Sequence, residues 1–138
     1  MRKFARVVAV ALAVAPALAL GQTSTWTFDS AHSHASFTVK HMVISNVRGE
    51  FGKMTGTVTL DEKDVTKSKV EATIDATTID TREAKRDEHL KSPDFFDVAK
   101  YPTITFKSTK VQKSGKDGLK VTGDLTMRGV TKAVTLDV

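Results

Sequence analysis

Leu119-Lys120-Val121-Thr122-Gly123-Asp124-Leu125-Thr126-Met127 is the stretch that decides the fold class. The odd positions hold Leu119, Val121, Gly123, Leu125 and Met127, and the even positions hold Lys120, Thr122, Asp124 and Thr126. A period of two sends alternate side chains to opposite faces of an extended chain, so this run reads as a strand with one dry face and one wet face.

The same alternation recurs on both sides of it. In residues 35–43 Ala35, Phe37, Val39, His41 and Val43 share one face, against Ser36, Thr38, Lys40 and Met42. Met54, Gly56, Val58 and Leu60 alternate with three threonines, and Val70, Ala72 and Ile74 alternate with Glu71, Thr73 and Asp75. Ile104 and Phe106 alternate with Thr103, Thr105 and Lys107, and Val134, Leu136 and Val138 with Thr135 and Asp137. These patterns predict six strands. The links between them are short and polar. Lys113-Ser114-Gly115-Lys116-Asp117-Gly118 reads as a hairpin loop and Arg128-Gly129 as a tight turn. Such links join antiparallel neighbours, because a parallel crossover needs a dozen or more residues. The expected class is all-β.

One segment departs from the period. Residues 81–91 contain no Gly, Pro or β-branched residue after Thr81. Asp80, with Glu83 three residues on, predicts an N-terminal cap, and Pro93 disfavours helix at Ser92. The helix is polar except for Ala84 and Leu90, so residues 80–100 are expected to form a flap held down by Phe95 and Phe96.

The N-terminus reads as a secretory signal peptide over residues 1–21. Arg2, Lys3 and Arg6 precede an apolar run over residues 7–20, and small residues then offer cleavage after Ala19 or Gly21. The run falls short of a membrane span and contains Pro16. Three of the 21 basic residues lie in that segment. Removing it leaves 18 basic against 16 acidic residues, a net charge of +2. No basic stripe points to nucleic acid. The expectation is one periplasmic domain over residues 22–138, without a transmembrane span. It contains no Cys, so core burial or ligand must stabilise it.

Side chains able to carry chemistry are few. His32 and His34 would share a strand face, but a zinc site needs three or four converging ligands. A metal-assisted hydrolase on that pair is the enzymatic rival, and no metal site is expected. Asp94 and Asp97 flank the Phe pair and read as a solvated loop rather than a glycosidase pair. No phosphate loop or nucleophile elbow is visible, so no catalytic residue or cofactor is assigned. The apolar faces remain. An eight-stranded barrel encloses an interior that side chains fill or that holds one ligand, and periodicity leaves both open.

The order of several segments resembles the YceI-like family of lipid- or polyisoprenoid-binding periplasmic proteins. They are Trp26-Thr27-Phe28-Asp29, His32-Ser33, residues 37–42, Val47-Arg48-Gly49-Glu50-Phe51 and Ile79-Asp80-Thr81. Residues 86–97, Tyr101-Pro102, Phe106 and residues 123–132 complete the set. The resemblance implies a lipocalin-like antiparallel barrel with one helical excursion, no established catalytic residues, and a long-chain ligand inside. The implied ligand is a polyisoprenoid of the prenyl quinone or prenyl pyrophosphate type, with a fatty acid or fatty amide as alternative. The expected lining is Phe37, Val39, Met54, Val58, Ile104, Phe106, Leu125 and Met127, with Phe95 and Phe96 at the mouth and His41 as a polar contact. Family members continue with further strands, whereas this sequence ends within an alternating run at Val138. The barrel is therefore expected to be incomplete at that edge, or to pair there with a partner strand as a homodimer.

Overall fold

In a computed structural model that describes residues 22–138, nine strands and one α-helix follow in order. They are β1 (Thr23–Thr27), β2 (Ala35–His41), β3 (Ser45–Phe51), β4 (Met54–Asp61), β5 (Lys69–Asp75), β6 (Ile79–Asp80), α1 (Ala84–Lys91), β7 (Thr103–Ser114), β8 (Gly118–Met127) and β9 (Val130–Asp137). The expected leader, residues 1–21, lies outside the described residues. Every strand pairing is antiparallel. A six-stranded sheet runs β1-β4-β5-β7-β8-β9, and a three-stranded sheet runs β2-β3-β6.

The all-β class stands, with one correction. Nine strands replace six. Thr23–Thr27 holds a single apolar residue, Trp26, and so gives no alternation to read. In β3 Gly49 interrupts the apolar row between Val47 and Phe51, and β6 is only two residues long. The expected incompleteness of the barrel is also seen. No ladder joins the two sheets among the described residues, so the barrel is open.

The turns behave as their chemistry dictates. Arg128 and Gly129, with φ of 48° and 72°, form the tight β8–β9 turn, and Gly115 at φ 66° serves the β7–β8 hairpin. Helix α1 starts later than expected. Its N-cap is Glu83, whose carboxylate accepts the Arg86 amide at 2.7 Å. Asp80 instead accepts the amide of Arg82, which sits at φ 64° and separates Asp80 from the helix. Ser92 ends the helix in extended geometry, as the following proline requires.

Two apolar clusters hold the fold. Phe51, Ala76, Ile79 and Ile104 are buried, with Phe37, Ile74, Leu90, Phe96, Val98 and Leu125 packed around them. This cluster joins both sheets to the flap. Phe96 meets Phe51 edge-on at a centroid distance of 5.5 Å. Phe106, Val111 and Val121 form the second cluster, on the six-stranded sheet, with Ala72, Leu119, Leu125 and Val134. Arg128 ties the flap to the β8–β9 turn through bonds to the carbonyls of Phe95 (2.8 Å) and Pro93 (2.7 Å).

Candidate functional site

Cross-strand register assembles the expected lining residues into rows, because directly opposed residues of an antiparallel pair face the same way. One row runs Met54, Ile74, Ile104 on β4, β5 and β7. The next runs Gly56, Ala72, Phe106, Leu125 on β4, β5, β7 and β8. Val58 and Val70 extend the same face on β4 and β5. Ile104 and Phe106 are buried; Met54, Val58 and Leu125 are half-buried.

The three-stranded sheet contributes less. Phe37 is half-buried opposite Gly49, and its ring packs 5.7 Å from that of Phe51. Val39 and His41, further along the same face, are exposed. Met127 is also on the exposed side of the boundary. The two expected mouth residues separate: Phe96 packs into the core, whereas Phe95 stays exposed with its ring against His89.

Three aromatic rings lie over glycines of a neighbouring strand. The Phe37 ring covers Gly49 so closely that no Cβ would fit there without moving the ring. A Cβ on Gly123 would stand 2.5 Å from the Phe106 ring, and one on Gly56 would stand 3.0 Å from the Phe28 ring. A glycine lets a ring settle against the backbone, where any side chain would hold it off. None of these pairings shows in the sequence, because each depends on register.

A polar cleft of about 720 Å³ lies beside the β2–β3 hairpin, lined by Phe37, Arg48, Glu50, Asp80, Arg82 and Arg86 among others. Thr81 anchors one wall. Its buried hydroxyl donates to Asp87, its amide donates to the same carboxylate oxygen at 2.9 Å, and Arg86 donates to its hydroxyl and carbonyl at 2.8 Å each. Of the expected site residues only Phe37 lines this cleft. The arginines stand on three different segments, and only the fold brings them together.

The histidines stay apart. His32 Nδ1 lies 2.6 Å from Asp29, and this hydrogen bond, with the Ala31 amide, holds the Asp29 carboxyl below its ordinary range. His89 Nε2 lies 2.9 Å from Asp94. Among the described residues no three His, Asp or Glu side chains converge on one point.

Residues 26–138 match the family model described as the YceI-like domain. A UPF0312 protein of Vibrio parahaemolyticus is 45% identical over 132 residues, which are 94% of this chain and 70% of that protein. The crystal structure of the Campylobacter jejuni YCEI protein superposes with a TM-score of 0.64 at 38% identity, covering 81% of this chain and 66% of that one. A polyisoprenoid binding domain from Saccharophagus degradans, implicated in plant cell wall breakdown, shares the fold with a TM-score of 0.52 at 13% identity, over 82% of this chain and 60% of that one.

Proposed function

The chain belongs to the YceI-like family, and from that premise we propose that it is an exported, periplasmic binding protein. It carries one long polyisoprenoid chain, of the prenyl quinone or prenyl pyrophosphate type, against the inner face of its six-stranded sheet. The ligand class follows the name of the Saccharophagus domain that shares the fold. The observation that carries the reading is the pair of apolar rows through Ile104 and Phe106, together with the rings laid over Gly123, Gly56 and Gly49. A ring laid flat on a glycine takes less depth than one held off by a side chain, which favours a wall against which an extended chain can lie. The lining is Phe37, Met54, Val58, Ile104, Phe106 and Leu125, with Met127 at the rim and Phe96 closing the flap end.

Affinity would come from burial, at about 0.8 kcal/mol per CH₂ before ordering costs. About ten buried carbons then supply a gross term of micromolar order. No proton transfer or bond cleavage is needed, and the reading is of a carrier rather than an enzyme.

Native mass spectrometry of the protein, gently extracted from the exported fraction of an expressing bacterium, tests this. A co-purified adduct whose fragments space by isoprene units is expected. A fatty-acid or fatty-amide adduct would replace the ligand class. A protein carrying no lipid, or a stoichiometric zinc lost in His32→Ala, would overturn the carrier reading.

A further inference from the structure

The β2–β3 hairpin ends in Met42-Val43-Ile44, and these side chains are 78%, 96% and 93% exposed. The ladder closes at the His41–Ser45 pair, and the Ile44 amide returns to the His41 carbonyl at 3.3 Å. Met42 and Val43 take φ of 51° and 65°. Left-handed backbone is common for Gly or Asn and costly for a β-branched residue. The loop thus holds large apolar side chains in water, in a geometry that Asn-Gly would adopt without strain.

Along the segment that carries this tip the charge has one sign. From Ser30 to Gly49 the sequence has no Asp or Glu, while Lys40 and Arg48 lie on the two strands that carry the tip. The other exposed apolar residues of the open sheet differ in kind. Val130 and Leu136 are on β9, whose free edge another strand can cover. A turn offers no ladder to a strand. Three side chains on a projecting loop also fall far below the roughly 800 Å² per partner of a stable protein interface. They match the depth of about 5–10 Å to which apolar side chains enter a bilayer interface, with cations meeting anionic headgroups.

We propose that residues 42–44 insert into an anionic lipid surface and dock the protein there, with Lys40 and Arg48 at headgroup level. The docking holds whatever lipid the interior carries, and it stands even if the interior proves to be packed.

Tryptophan fluorescence reads the tip directly. In a Trp26→Phe background, Ile44→Trp should shift to the blue and be quenched by brominated lipid on phosphatidylglycerol–phosphatidylethanolamine vesicles, and much less on phosphatidylcholine. The double change Val43→Asn with Ile44→Ser suits the left-handed turn, so it should keep the thermal midpoint. It should weaken vesicle flotation about tenfold, the loss expected when two partly inserted apolar side chains are removed. Lys40→Gln should weaken binding to the anionic vesicles and flatten its salt dependence. An unshifted tip tryptophan on anionic vesicles would overturn the proposal. So would a double variant that floats like the parent. A self-association lost in the double variant, without a difference on vesicles, would assign the tip to a second copy instead and overturn it equally.

Discussion

Strand β8 buries Val121 to 4% exposure with Gly123 beside it, whereas β2 leaves Val39 at 54% and His41 exposed. Both strands alternate with a period of two, and both place their apolar residues on one face. They differ in what lies opposite that face. The β8 row meets Phe106 and Val111 on one side and Val134 on the other. The β2 row keeps cover at Ala35 and Phe37, near Phe51, and loses it toward the hairpin tip. Periodicity therefore reports which residues share a face, and tertiary packing alone decides whether the face is dry.

The largest effect should come from cutting into the covered row. Phe106 is 7% exposed and belongs to the cluster of Val111 and Val121, so Phe106→Ala should cost about 3–4 kcal/mol of unfolding free energy in urea titration. Val39→Ala on β2 should cost less than about 0.5 kcal/mol. If the two changes cost the same, the inner face of the β2–β3 hairpin is covered in solution and the contrast between the sheets fails.

A smaller difference separates two carboxylates at the flap entrance. Asp87 accepts both the amide and the hydroxyl of Thr81, which is 4% exposed. Asp87→Ala strands those donors and should cost about 2 kcal/mol. Asp80 is exposed and accepts the Arg82 amide, so Asp80→Ala should cost under about 0.5 kcal/mol. Equal losses in thermal unfolding would mean that Asp80, the cap expected from sequence, holds the helix after all.

The same contrast explains what was legible in the sequence. Strands β4, β5 and β8 were readable because each alternates over its own length, and β7 only over residues 103–107, before its register shifts between Ser108 and Lys110. The tight turn at Arg128-Gly129 and the stop at Pro93 were readable because their causes are local. Strand β3 was not, since Gly49 looks like a break until Phe37 is seen covering it. Glu83 takes the place of Asp80 as the cap because Arg82 turns left-handed between them, and the Thr81 bonds to Arg86 and Asp87 that accompany this turn are not visible in cap preferences. Among the expected lining residues, Ile104 and Phe106 on β7 are buried. Val39, His41 and Phe95 are exposed, since nothing in their own segments encodes what lies across from them.

The smallest expected change in stability is the one that bears most on the interior. A methyl at Gly123 would meet the Lys107 carbonyl oxygen at 2.5 Å as well as the Phe106 ring, and backbone cannot step aside. Gly123→Ala should cost about 1–3 kcal/mol. At Gly49 the close atoms all belong to the Phe37 ring, the far end of a side chain that can rotate. Replacing a glycine at ordinary strand dihedrals also stiffens the unfolded chain, a gain of about 0.4–1 kcal/mol. That gain offsets the cost of moving the ring, so Gly49→Ala should leave unfolding free energy within about 0.5 kcal/mol of the parent. The displaced ring must lift off the β3 backbone, on the face where it packs beside Phe51. In a hollow interior it takes up depth that a lipid chain needs, and lipid uptake measured by native mass spectrometry should fall while stability holds. In a filled interior the ring collides with neighbours, and stability falls with nothing to lose in uptake. A large stability loss in Gly49→Ala, matching that of Gly123→Ala, would therefore show that the space beside Phe37 is packed and would remove Phe37 from the lining.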